Sequence, residues 1–181
     1  SMLAADILNH ANIDYMLEAR DISEYKVDLM QENFDRCHLN KAKAVAWDAL
    51  EPDERWLGQA DVVIADIPCS GLGVIGRKRD IKYKMTPQAV QDIVELQEKI
   101  LKVAASYVKK GGKLLFSTCT VNKDENEAHV KWIQDTLKMT PVSLNETLPE
   151  LVHSQTIQQG FVQLIPGIQD TDGFFISVFE K

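Results

Sequence analysis

The sequence predicts an α/β fold, a mostly parallel sheet with helices on both faces, and three stretches carry that reading. Val62, Val63, Ile64 and Ala65 form an apolar run too short for a helix and rich in β-branched residues, which suits a strand covered on both faces. A long amphipathic helix starts at Thr86, and a second strand, Lys113 to Ser117, comes directly after it. From Pro141 the pattern turns to short β segments, which would complete the sheet with antiparallel strands.

The 181 residues read as one domain, 1–181, large enough to bury a sizeable core. No stretch is apolar for long enough to span a membrane, and the start does not read as a signal peptide. Cys37, Cys69 and Cys119 are an odd, sparse set without metal-ligand spacing, so free thiols in a reducing cytoplasm are expected and no metal. A net charge of −7 argues against a generally basic nucleic-acid surface. The positive charge is nevertheless clustered, with Arg77, Lys78, Arg79, Lys82 and Lys84 close together and Ile81 and Tyr83 interleaved. Such a run is usually a solvated face, but here it comes directly after a strand that carries reactive groups.

In chain order, Leu3 to His10 reads as a short helix and Ile13 to Arg20 as a strand closed by Asp21. A carboxylate at that strand end is placed to accept hydrogen bonds from ribose hydroxyls, although an Asp there also serves as a plain turn former. Ser23 caps a helix running to about His38, with Tyr25, Leu29, Met30 and Phe34 on its buried face and Cys37 as a packing residue. Ala42 to Trp47 is the next strand, ending at Asp48, and Glu51 to Gly58 is an acidic loop with Trp56 tucked against the body.

The Val62–Ala65 strand delivers Asp66 to the carboxyl edge of the sheet, where open α/β folds keep their ligands. Pro68 stops the ladder, Cys69 comes next, and Gly71 and Gly73 let the backbone pass close to a neighbour. The second strand ends in Thr118-Cys119-Thr120, so both cysteines come to the same edge. Between them, Thr86 as N-cap and Pro87 at the first helical position start a helix ending at Gly111-Gly112. Its inward residues are Val90, Ile93, Val94, Leu96, Ile100, Leu101, Val103 and Ala104. Asn122 with Glu125 forms a near capping box, setting a helix N-terminus close after Cys119 where it would favour a thiolate. The late strands are Val142 to Leu144, Phe161 to Ile165 and Phe174 to Phe179; His153 falls in a loop, and Pro166-Gly167 and Asp172-Gly173 frame the last hairpin.

Asp66-Ile67-Pro68-Cys69-Ser70-Gly71 and Ser117-Thr118-Cys119-Thr120 resemble the two cysteine motifs of the RNA 5-methylcytosine methyltransferases. Gly71-Leu72-Gly73-Val74-Ile75 with Asp80-Ile81-Lys82-Tyr83 after it is similar, more narrowly, to the bacterial Sun/Fmu group that methylates 16S ribosomal RNA. The resemblance runs from Ser1 to Asp172-Gly173-Phe174-Phe175, and the order and spacing of the motifs make it specific. It implies a Rossmann-like class I fold that uses S-adenosyl-L-methionine, with Asp21 on the ribose, Asp48 beside the adenine and Asp66 at the cofactor and substrate. It also implies RNA contact through Arg77, Lys78, Arg79, Lys82 and Lys84.

The family's first strand and glycine-rich loop, ending Pro-Gly-Gly-Lys-Ser or -Thr, are expected to lie before Met2, with Ser1 as the last loop residue or a cloning remnant. The chain is therefore expected to be the catalytic domain truncated at its N-terminus, weak in cofactor binding and inactive alone.

Carbon 5 of cytosine is a poor nucleophile, so a thiolate must first add at carbon 6. The resemblance assigns that step to Cys119 and product release to Cys69, whereas DNA cytosine methyltransferases use the Pro-Cys thiol, here Cys69. Two readings from other classes stand beside this one: a non-catalytic RNA-binding platform, and a Rossmann-like enzyme in which Cys69 and Cys119 are a redox-active dithiol.

Overall fold

The computed structural model describes residues 4, 7–8, 10–11, 13–148 and 156–181. Of the expected Leu3–His10 helix, Ala4, Ile7, Leu8 and His10 are helical; the rest of that stretch, with Ser1, Met2 and His153, lies outside the described residues. The chain divides into two compact units, Ser1–Pro52 and Asp53–Lys181.

In the first unit, β1 (Leu17–Asp21) and β2 (Ala42–Ala46) pair in parallel from Leu17↔Ala42 to Asp21↔Ala46, joined by helix α1 (Glu24–Arg36). β1 starts four residues later than expected, and α1 ends at Arg36, with Cys37 as its C-cap. Phe34 is the buried anchor of α1 and packs with Ala19, Leu39 and Ala42, half-buried Met30 and Cys37 joining them. Tyr25, expected inward, is 71% exposed because it lies in the first turn, beyond the short two-stranded core.

In the second unit, β3 (Ala60–Asp66), β4 (Val108–Thr118), β7 (Phe174–Glu180) and β5 (Thr140–Pro141) run side by side in that order, and β6 (Phe161–Leu164) also pairs with β7. β3 and β4 are parallel, while β7 is antiparallel to β4, as the late β pattern implied. Between β3 and β4 lie a four-residue helix α2 (Ile81–Lys84) and the long α3 (Pro87–Tyr107). Thr86 Oγ1 accepts from the Ala89 N–H at 3.2 Å and Pro87 opens the helix, as read from sequence.

α3 ends at Tyr107 instead of Gly111-Gly112, because fully buried Val108 already pairs with Ala60. The glycines form an irregularity in the β3–β4 register, and a Cβ on Gly112 would stand 2.9 Å from the Asp61 carbonyl. Ile100, Leu101, Ala104, Phe116, Phe175 and Phe179 make the main core, with Phe116 and Phe175 rings 5.6 Å apart. Ala65 and half-buried Val63 of β3 face this core, and the alternation of the strand leaves Val62 and Ile64 58% and 51% exposed. β5 stops at Pro141, because Gly160 and then β6 take over pairing with β7 where Val142 to Leu144 was expected to continue.

Candidate functional site

The carboxyl ends of β3 and β4 are in register, Asp66 opposite Ser117, so the turn leaving one strand meets the turn leaving the other. Ser117 Oγ donates to Asp66 Oδ1 at 3.3 Å, and the Asp66 side of the strand end is open to solvent. Beyond them the Cys69 and Cys119 sulfurs are 3.3 Å apart, both half-buried and free. The pairing of the two thiols at one edge was readable from the spacing of the two strands; their contact was not.

Burial pushes the Cys69 thiol up to about 12, the neighbouring Cys119 thiol adding to the effect. Cys69 is therefore a neutral thiol near neutrality. Alkylation of Cys69 should climb about tenfold per pH unit from pH 9 to 11 without the plateau an ordinary thiol shows near 9; a plateau there, seen by peptide mass mapping, would refute the shift. Because the folded state holds this proton more tightly than the unfolded chain, the thiol contributes stability below pH 9 that is lost as pH rises toward 12.

The cysteine loops are cross-tied. The Gly73 N–H donates to the Cys119 carbonyl at 3.1 Å, and the Gly173 N–H, from the turn before β7, donates to the Gly73 carbonyl at 2.9 Å. Beneath the thiols, Ser70 Oγ and Thr120 Oγ1 are 2.8 Å apart and both reach the Glu125 carboxyl, which also accepts from the Ser70 N–H at 2.8 Å and from Gln97 Nε2 at 3.2 Å. A second buried set links Thr118 Oγ1 to Asn126 Oδ1 at 2.7 Å and Asn126 Nδ2 to Gln163 and the Thr120 carbonyl.

The expected helix directly after Cys119 is absent. Asn122 Oδ1 instead holds an Asx turn on the Asp124 N–H, Glu125 turns inward, and the next helix, α4 (Glu127–Trp132), has Asn126 as its N-cap. The positive end of a helix therefore does not sit beside the thiol as predicted. Sequence reasoning also missed Gln97. A polar residue in the middle of the apolar stripe Ile93–Ile100 was the signal, since such a position is buried and needs a partner.

Between Arg77 and Lys84 every residue but half-buried Ile81 is exposed. Arg77 pairs with Asp172 at 3.0 Å and Lys84 with Asp80 at 2.6 Å, while Lys82 sits 4.7 Å from the ring centre of Tyr83, itself 78% exposed. Lys78 and Arg79 point into solvent beside them.

In the first unit, Asp21 Oδ1 accepts from the Ser23 N–H at 2.9 Å and Oδ2 accepts from Lys26 at 3.1 Å; Ser23 is the N-cap of α1 but its side chain makes no capping bond, contrary to expectation. Burial opposes its charge, but the Ser23 N–H and the Lys26 ammonium outweigh that and hold the carboxyl below its ordinary range. Asp48 Oδ1 accepts from the Leu50 N–H at 2.9 Å and lines a cleft of about 460 Å³ with Ala46, Trp47, Glu51 and Pro52. Among the described residues no group of three or more His, Cys, Asp or Glu could hold a metal, and no helix is long and apolar enough to cross a membrane.

Parallel strands finished by antiparallel ones, with reactive groups at the strand ends, make a Rossmann-like fold, and a solved methyltransferase homologue shares it. A methyltransferase homologue from Pyrococcus horikoshii is 26% identical with a TM-score of 0.75, over 93% of this chain and 54% of that one. NSun6 of Pyrococcus horikoshii, 24% identical over 98% of this chain and 44% of its own, shares the fold with a TM-score of 0.74. The family model for the 16S rRNA methyltransferase RsmB/F matches residues 4–180, and the chain belongs to that family. A probable ribosomal RNA small subunit methyltransferase B of Bacillus subtilis (strain 168) is 39% identical over 89% of the chain, and ribosomal RNA small subunit methyltransferase F of Salmonella arizonae is 30% identical over the whole of this chain. The chain spans only 36% and 37% of those two relatives.

Proposed function

We propose that the protein containing these residues transfers a methyl group from S-adenosyl-L-methionine to carbon 5 of a cytosine in 16S ribosomal RNA. The observation that carries this reading is the pair of thiols 3.3 Å apart at the ends of adjacent parallel strands, beside an open carboxyl on Asp66. Cytosine C5 chemistry needs one sulfur to bond carbon 6 and a second group to manage protons around it. The family resemblance of the Thr118-Cys119-Thr120 motif supports Cys119 as the nucleophile, with Cys69 beside it as the second group.

Cys119 sulfur bonds carbon 6, and electron density moves to carbon 5. Asp66, sharing a proton with the ring N3 and amino edge, stabilises the negative charge that develops there. The cofactor supplies the methyl group to carbon 5. With Cys69 assisting, a base then removes the carbon 5 proton, the electrons of that bond re-form the ring double bond, and the Cys119–carbon 6 bond breaks. The first unit's residues fit the cofactor. Asp21 is held ionised with one accepted bond on each oxygen, so each keeps a lone pair for a ribose hydroxyl. The Trp47–Asp48 cleft offers an aromatic wall and an acidic acceptor to an adenine amino group.

The test is incubation of the whole protein with methyl-labelled cofactor and 16S rRNA, then nucleoside mass spectrometry. Label in 5-methylcytidine is expected; label in any other nucleoside refutes the reading.

The exposed Lys78, Arg79 and Lys82 are assigned to the RNA backbone. Replacing all three with alanine in the whole protein should weaken RNA binding and lower the log–log salt slope by roughly 0.7–0.9 for each phosphate no longer neutralised. An unchanged slope would make the loop a solvated face and nothing more.

A further inference from the structure

We propose that Glu125 is a positioning residue that sets the spacing of the two thiols. It touches no reacting atom; its carboxyl accepts from Ser70, the residue directly after Cys69, and the Ser70 hydroxyl in turn meets that of Thr120, the residue directly after Cys119. Glu125, Thr120 and Gln97 are fully buried and Ser70 nearly so, and among the described residues no Lys or Arg forms an ion pair with the carboxyl.

A buried carboxyl without a cation is costly unless hydrogen bonds satisfy it, and here they do. Ser70 gives it both its N–H and its hydroxyl, the latter at 2.5 Å, and Gln97 gives it an N–H while also donating to the Pro68 carbonyl at 2.8 Å. The donors run as a chain: the Asn122 N–H to Thr120 Oγ1 at 3.2 Å, Thr120 to Ser70, and Ser70 to Glu125. One carboxyl thus ties the turn after β3 to the turn after β4, at the residues next to the two cysteines. A surface ion pair elsewhere would serve stability equally well but would hold neither cysteine turn; Glu125 adds a buried side-chain tie to the backbone one between Gly73 and the Cys119 carbonyl.

The catalytic consequence rests on the function proposed above, but the spacing does not, so two readouts separate them. The first is the rate at which diamide closes a Cys69–Cys119 disulfide in a Cys37→Ser background. The azo bond takes up the two protons and two electrons that the thiols lose, and the rate depends on how often the sulfurs meet. The second is methyl transfer by the whole protein.

Glu125→Ala should slow closure about tenfold or more, and should lower kcat by roughly 100-fold with KM for RNA little changed, as expected for a misplaced reacting group. Glu125→Gln should restore both. Its carbonyl can keep the Ser70 N–H and Gln97, and its NH₂ can face the two hydroxyls, which turn to accept. Should Glu125→Ala fail to fold, Ser70→Ala, which keeps the backbone N–H to Glu125, should still close more slowly than the parent. Closure at the parent rate in Ser70→Ala and in whichever Glu125 variant folds overturns the proposal. Slowed closure with no RNA methylation even by the parent would uphold the spacing role and overturn the function instead.

Discussion

Cys119→Ala in the whole protein is expected to give no methylated RNA and no covalent complex, whereas Cys69→Ala is expected to accumulate an enzyme–RNA adduct that survives denaturing electrophoresis. The difference arises from the order of bonds. Without the Cys119 sulfur, nothing adds to carbon 6 and carbon 5 never becomes nucleophilic. Without Cys69, attack and methyl transfer proceed but proton removal and elimination are slow, and loss of a proton-transfer group of this kind costs roughly 10²–10⁴-fold in turnover. The two sulfurs, 3.3 Å apart, are close enough for both to act on one ring, and the two variants decide which does which. The reverse pattern, with an adduct in Cys119→Ala and none in Cys69→Ala, would make Cys69 the nucleophile. Full activity in both variants would return the thiols to packing.

Gly73→Ala is expected to lower stability by about 1–3 kcal/mol, the usual cost of overpacking, and hence Tm by roughly 2–12 °C. Its Cβ would overlap the Gly173 carbonyl oxygen and come within 2.8 Å of the Cys119 carbonyl oxygen, and both are backbone atoms in hydrogen-bonded turns that cannot rotate away. Gly173 cannot retreat either, because its own Cα side lies against Gly73 and Val121. Gly76→Ala is the control, three residues on, where a Cβ meets nothing within 4 Å. Thermal unfolding of the two variants side by side decides it: equal Tm values would mean that the crossing of the two glycine turns is loose.

Much of the fold was legible because its signals are local. The β-branched run of β3, the Thr86-Pro87 helix start and the late β segments each declare their type within a few residues. The thiol pair was legible one level up, because two parallel neighbours that both end in a cysteine motif must present them at one edge. What failed depended on partners distant in sequence. Gly111-Gly112 reads as a helix stop, but Val108 had already been claimed by Ala60. Asn122 and Glu125 read as a capping box, yet Glu125 finds stronger donors on Ser70, 55 residues away.

The antiparallel pairing of β4 with β7 also bears on how the chain is made. Leu114 and Phe116, both fully buried, wait on Phe179 and Ser177 for their second neighbour strand, and Thr118 waits on Phe175. At about 5–20 residues per second on the ribosome, that leaves the strand bearing Cys119 with an open, apolar flank for several seconds. For that interval the nascent chain presents a surface of the kind chaperones bind, and its reactive sulfur acquires its final surroundings only once β7 has arrived.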